Sequence, residues 1–524
     1  MSKVLPLFYP TKFGNCKLLS DNVLTLRKKA SQAEGRGFES RLPLEGKKGI
    51  SLGECPSFKT KEKSGIMLLM TLIIVAVVFV GFVLMSTEQM HHVNRATVAM
   101  VCGVIAWVIY LLNGEDFVFL MHGDDYSAYL AGGESTSDSL KYFVAENVLA
   151  KYIGEACSVI LFLIATNTIV EVLHNNGVFD SLIGWLRMRN SRLFLWLISL
   201  LTFAISANVD NLTTVVLMMS IISQIVRNHH QRVIYACTIM IAACLGGCFT
   251  AIGDMTSVML WVRGAITPSA YAAGLFLPAF VSLCVFNVLI GMKLHGRVEI
   301  FSALSRFDGD DSYLAAWQKV LLLILGIAGL WFIPSFHYIT KLPPFLGSLS
   351  VLALIWAIEG LCNLERDGNV LLVQRHYFRN TEFIGMRMIL YFIGVSLGVG
   401  AFAECGALDF VGNWLEEHIN NVYVYGAAFG ALSSIMDNVP LMMTGMNIFQ
   451  VDVDATSEFA QNGIYWQLLS FCCACGGSLL FVGSMAGQAV LEVERIRFKW
   501  YIRHYLWRAF VAWMAGLLVF WLTH

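Results

Sequence analysis

Between Leu193 and Val226 the chain is apolar except near its middle, where Ser206-Ala207-Asn208-Val209-Asp210-Asn211 sets a carboxylate between two carboxamides. At membrane depth a charged side chain costs several kcal/mol unless partners or water meet it, so such a residue marks a functional site by default. The pattern then returns. Ser433-Ser434-Ile435-Met436-Asp437-Asn438 lies in a second apolar passage with Ser, Asp and Asn at the same spacing, and Asp437 follows Asp210 by 227 positions. Two S-x-x-x-D-N elements in two apolar halves predict an internally duplicated transporter.

Composition places those passages in a membrane. The chain is 57% hydrophobic and 14% charged, with a mean hydropathy of +0.64, far from a soluble globular protein. A net charge of -1 argues against a nucleic-acid partner. The lipid bilayer is the expected partner, and a homodimer is compatible with the sequence. Thirteen cysteines is an odd count, and those from Cys102 to Cys475 lie in or beside apolar runs, where thiols pack as small apolar groups. Cys472-Cys473-Ala474-Cys475 contains a C-x-x-C but no second pair of ligands, so no metal is expected there.

Residues 1–66 differ from the rest: polar, basic and without the apolar core of a signal peptide. Arg36-Gly37-Phe38-Glu39-Ser40-Arg41 back-translates as CGC GGG TTC GAA TCC CGC, in which GCGGG and CCCGC pair around TTCGAAT like a tRNA T-arm. The expectation is an assigned start lying upstream of the true one, with translation beginning at Met67 or Met70; a disordered tail is the alternative. Peptide mapping of native protein separates them.

Apolar runs predict single spans near 67–85, 93–113, 153–173, 269–291, 318–334, 345–362, 384–405 and 505–522. Passages 231–264 and 464–492 are too long for one straight span and carry Gly246-Gly247…Gly253-Asp254 and Gly476-Gly477…Gly483-Ser484, which predict broken helices. The two motif passages, 193–226 and 421–450, read as re-entrant hairpins. Loop charge supports this. Arg187, Arg189, Arg192, Arg227, Arg232, Lys293, Arg297, Arg306, Arg366, Arg375, Arg379, Arg495, Arg497, Lys499 and Arg503 fall on one predicted side, with only Lys141, Lys151, Arg263 and Lys341 opposite. A full crossing by either hairpin would break that pattern. The expected fold is an all-α polytopic membrane protein, with about ten crossings plus two hairpins and two broken helices. It comprises a first inverted repeat (67–291), a cytoplasmic linker (292–317) and a second repeat (318–524). Gly177, Asp180, Trp185 and Leu186 recur 229 positions later as Gly406, Asp409, Trp414 and Leu415, and Gly246-Gly247 and Gly253 recur after 230.

Inverted repeats with discontinuous helices bind at the midplane. The tips and breaks bring together Asp210, Asn211, Asp254, Asp437 and Asn438, with Ser206, Thr213, Thr214, Thr250, Thr256, Ser433, Ser434, Ser478 and Ser484 close in sequence. Unwound carbonyls add oxygens, and glycine admits close approach to an ion. No Lys, Arg or His falls within the four motif segments. Hard oxygens with net negative charge suit a small hard cation. Burial disfavours a charged carboxylate, so a proton competes for the same oxygens, and competition suffices for exchange. The bland readings are Asp and Asn as helix caps, and Ser and Thr bonded back to their own helices. Glu171, Glu359 and Glu404 would snorkel at helix ends, while His91-His92 and His229-His230 would sit in surface loops. Asp254 is matched by Ser484, so the halves are chemically unequal.

These residues resemble the NhaD-type sodium/proton antiporters of the ion transporter superfamily, over roughly residues 67–524. The resemblance rests on Asp210-Asn211-Leu212-Thr213-Thr214, Ile252-Gly253-Asp254-Met255-Thr256, Asp437-Asn438-Val439-Pro440 and Gly476-Gly477-Ser478-Leu479-Leu480…Gly483-Ser484. It implies antiport of Na+ or Li+ against H+ across a bacterial inner membrane, with Na+ at Asp210, Asp254 and Asp437 and no cofactor. Two positions depart from the pattern: Cys244 stands where an Asn is usual, and Ala251 replaces a Pro. A dicarboxylate, oxyanion or arsenite carrier of the same superfamily is the alternative. An enzyme is not expected, since H-E-x-x-H is absent and no His or Lys accompanies the motif serines.

Overall fold

The computed structural model describes residues 57–524 except 131–134, 179–185, 187, 295, 300–315, 365–380 and 455. The chain divides into units 1–60 and 61–524, and the second carries the fold. Outside the described residues lie the expectations for 1–56, five of the loop arginines (Arg187, Arg306, Arg366, Arg375, Arg379), Asp180, Trp185 and most of the linker.

In chain order come α1 (Ser57–Ser86), α2 (Arg95–Leu112), α3 (Gly114–Leu130), α4 (Ser137–Asn175), α5 (Ser191–Ser206), α6 (Asn211–Ile225), α7 (His229–Gly247), α8 (Met255–Val262) and α9 (Pro268–Gly291). After the linker follow α10 (Ala316–Thr340), α11 (Pro344–Leu364), α12 (Thr381–Glu404), α13 (Ala407–His418), α14 (Val422–Ser433), α15 (Asn438–Ile448), α16 (Ile464–Gly477), α17 (Met485–Glu494) and α18 (Phe498–Thr523). Eight of them (α1, α2, α4, α9, α10, α11, α12 and α18) are long and apolar enough to cross a membrane, one at each single span expected from sequence. Large apolar side chains such as Phe79, Trp331 and Leu522 point outward from them. Faces of that size suit lipid rather than water. The protein is an all-α, multi-pass membrane protein.

The short helices between the spans start at side chains that cap free N–H groups. Asn190, Asp210, Asn228, Asn421, Asp437 and Ser484 accept from the first turns of α5, α6, α7, α14, α15 and α17. Both motif passages double back. Arg189 O accepts from Val298 N and Arg227 N donates to Glu299 O, each at 2.9 Å, so the start and end of the first passage meet one short segment. In the second, Tyr425 near the start stacks on Phe449 at the end, with centroids 5.7 Å apart.

Several elements differ from the sequence reading. Helix α1 begins at Ser57, ahead of the apolar run, because Lys and Glu are good helix formers and extending a formed helix is easy. Helix α4 reaches back to Ser137 through a π turn at Val144–Leu149, so Lys141 and Lys151 ride on it rather than in a loop. Helices α3 and α13, of 17 and 12 residues, are additional to the expected elements; both are short for a span and carry several acidic side chains, and α3 bends at His122. His229 opens α7 and lies 3.1 Å from Glu494.

The buried glutamates do not snorkel either. Asn176 Nδ2 donates to Glu359 at 2.6 Å. Glu404 accepts from Tyr152 at 2.8 Å and meets His122 Nε2 at 2.7 Å. The Glu404 hydrogen bond raises the pKa of His122 above 6.5, with attraction from Glu404 and Asp125 adding and burial and Lys151 opposing. A raised folded-state value means that the stabilisation is fully present below pH 6.5 and is lost as pH rises through the folded value. The melting temperature of His122→Gln should therefore fall furthest below wild type in acid, with the gap closing at alkaline pH. A pH-independent gap would contradict this.

Candidate functional site

Each hairpin tip is an unwound turn between two helices that cannot share a backbone ladder. Asp210 closes the first, and its Oδ2 accepts Leu212 N at 3.2 Å; Asp437 closes the second, and its Oδ1 accepts Val439 N at 3.4 Å. Both aspartates do cap a helix. Their remaining oxygens differ. Asp210 Oδ1 is buried and has no hydrogen-bond partner among the described residues. Asp437 Oδ2 accepts from Tyr391 OH at 2.9 Å and from Arg95 Nη1 at 3.1 Å.

Asp254 lies at the break between α7 and α8 and faces the first tip. Its Oδ1 accepts Asn211 Nδ2 at 2.9 Å, and its Oδ2 accepts the Thr256 hydroxyl at 2.5 Å. Asp210 and Asp254 repel each other, and Asp254 in turn feels Asp437. All three are at least 96% buried, as are Asn438 and, at the second break, Ser478 and Ser484. Among the described residues no three His, Cys, Asp or Glu side chains are grouped to hold one metal ion.

Tip and break are joined the same way in both halves. Ser206 Oγ donates to Ala243 O at 2.7 Å, and Ser433 Oγ to Cys473 O at 2.8 Å. A Cβ on Gly246 would overlap Phe203 O, and one on Gly476 would overlap Gly430 O. A Cβ on Gly247 or Gly477 would come within 2.6 or 2.7 Å of the carbonyl oxygens of Gly253 and Gly483. These glycines let backbone pack on backbone. The carbonyls freed where α7 and α16 end each receive a tyrosine: Tyr271 OH reaches Cys248 O at 2.7 Å and Tyr501 OH reaches Ser478 O at 3.0 Å. Tyr271 and Tyr501 are themselves 230 positions apart, so the repeat offset could have found them.

The hydroxyls mostly serve the backbone. Thr250 donates to Ala207 O at 2.7 Å and Thr214 to Val209 O at 3.4 Å. Ser434 and Ser478 bond back to their own helices, each at 2.7 Å, and Ser484 accepts Gly487 N at 3.1 Å. Thr213 donates to Asn167 on α4 at 3.0 Å. Asn167, Arg95 and Tyr391 were missed because they lie outside the motif segments, on spans with no repeat signature. Cys244 is buried beside Ser484 of the other half, and Ala251 is buried in the break. Between α8 and α15, the helices that start at Asp254 and Asp437, a cavity of about 40 Å³ is lined in part by Met259, Arg263, Met443 and Asn447.

A family model described as citrate transporter, CitMHS, matches residues 93–476. The chain is 29% identical to sodium/proton antiporter 2 of Arabidopsis thaliana, over 85% of this chain and 98% of that protein. It is 32% identical to sodium/proton antiporter 1 of the same plant, over 71% of this chain and 62% of that one. With the Na(+)/H(+) antiporter NhaD of Vibrio parahaemolyticus it shares 28% identity, over 70% of this chain and 90% of the relative. These are transporters, not enzymes. The duplicated tips, the paired helix breaks and these matches together show that the chain belongs to the CitMHS citrate-transporter family, as an NhaD-type member of the ion transporter superfamily.

Proposed function

We propose that the protein exchanges Na+ or Li+ for H+, with the ions sharing the oxygens at the two hairpin tips and helix breaks. The observation that carries this reading is Asp210 Oδ1, a buried carboxylate oxygen without a hydrogen-bond partner among the described residues, within electrostatic reach of a second buried carboxylate, Asp254. Two like charges held together in a dry place are costly unless a cation or a proton stands with them. Either ion relieves the repulsion, so one leaves as the other arrives. Asn211 orients Asp254, while Asp437 and Asn438 form the second pole. The bacterial relatives support the cytoplasmic membrane as its location, and the relatives' names support Na+ as cargo.

The family model's description raises citrate as the other cargo. Citrate needs unpaired positive charge. Arg95 stands near the site, but Asp437 already neutralises it. In everted vesicles carrying an acid interior, Na+ or Li+ should restore the fluorescence of a quenched pH dye, with apparent affinity weakening as external pH falls. Citrate should leave it quenched. Citrate uptake together with no response to either alkali cation would overturn the proposal.

A further inference from the structure

Asp210 and Asp437 are the duplicated pair, capping equivalent helices through equivalent N–H groups, yet among the described residues only Asp437 has a built-in cation. Arg95 sits in the first turn of α2, where the helix dipole disfavours positive charge. Its guanidinium is held nonetheless, 3.1 Å from Asp437 and 4.9 Å from the Tyr391 ring centroid, and Tyr391 OH binds the same carboxylate oxygen. Arg95 and Tyr391 act as one body because α2 and α12 touch backbone to backbone. A Cβ on Gly394 would lie 2.5 Å from Met100 N, one on Gly103 would lie 2.8 Å from Gly394 O, and Trp107 Nε1 donates to Leu397 O at 2.9 Å. Asp437 belongs to a different element, the tip between α14 and α15.

We propose that Arg95 is a tethered counter-cation, which occupies Asp437 in competition with the transported cation and so sets how tightly the protein holds that cation. Guanidinium keeps its charge at every physiological pH, so this competitor, unlike a proton, cannot be titrated away. It leaves Asp437 when its own side chain swings away or when the hairpin tip moves against the α2–α12 pair. While the tip is docked, Asp437 is neutral in effect and Asp210 with Asp254 supply the free charge. Arg95 is thus a positioning residue, acting through Asp437. The inference rests on the cation-exchange reading above.

The test measures Na+ binding to purified protein and Na+-driven proton movement side by side. Arg95→Gln frees Asp437 and should tighten Na+ binding about tenfold, as expected for one added negative charge near the ion. Maximal transport rate should fall with it, because release slows. Asp437→Asn should weaken binding by leaving Arg95 unpaired, and the double variant Arg95→Gln/Asp437→Asn should return close to wild type. Arg95→Lys keeps the charge and should also stay close. Weaker or unchanged binding in Arg95→Gln overturns the proposal. If that variant does not fold, the double variant decides, since loss of Na+ binding there would make Asp437 a ligand independent of Arg95. Wild-type protein that holds no Na+ overturns both readings; Na+ binding without Na+-driven proton movement overturns the exchange reading alone, and Arg95 is then judged on binding.

Discussion

Asp210→Asn and Asp254→Asn are each expected to reduce Na+-driven proton movement to the background of vesicles lacking the protein. Asparagine ranks beside aspartate as an N-cap and is nearly isosteric, so a residue that only caps α6 or α8 would tolerate the change. Charge and exchangeable proton are what the substitution removes. For Asp210 the affected oxygen is the one without a hydrogen-bond partner among the described residues, so little else in the fold should notice. Asp254 has more to lose, since Asn211 and Thr256 both donate to it, and an amide nitrogen in place of either oxygen would face a donor. Some loss of thermal stability should therefore accompany Asp254→Asn and not Asp210→Asn. Wild-type rates in both variants would reduce the duplicated motifs to architecture.

The second large effect concerns the glycines at the breaks. Gly246→Ala and Gly476→Ala would each drive a Cβ into a hairpin carbonyl, at Phe203 and Gly430, where neither partner is a flexible side-chain end. Overpacking of this kind costs about 1–3 kcal/mol, and more where backbone must move. Both variants should unfold at lower temperature in detergent and transport poorly, even though Ala favours a helix. Gly154→Ala is the control: no atom lies within 4 Å of the new Cβ, and its melting should match or exceed wild type. Equal melting for all three would mean that the tip and the break do not touch as described.

Much of this was legible in the sequence because membranes impose simple rules. Eight apolar runs became eight long helices, and the Gly-Gly…Gly segments became breaks because close backbone contact needs glycine at those points. The offset of about 230 marked Ser206 and Ser433, whose hydroxyls make the same bond to equivalent carbonyls. What sequence did not show is which side chains come from outside the repeats. Arg95 opens an otherwise apolar span, and Tyr391 lies within one; only packing of α2 on α12 carries them to Asp437. A spacing rule cannot report such a contact. The absence of Lys and Arg from the motif segments held in the sequence but not in the space around Asp437.

Purified protein in proteoliposomes, with a pH indicator inside and no other ion path, tests the central claim most directly. An inward Na+ gradient should alkalinise the lumen as protons leave, in wild type but not in Asp210→Asn or Asp254→Asn. Wild-type vesicles whose internal pH ignores Na+ and Li+ alike, or variants that respond as wild type does, would contradict exchange at these carboxylates.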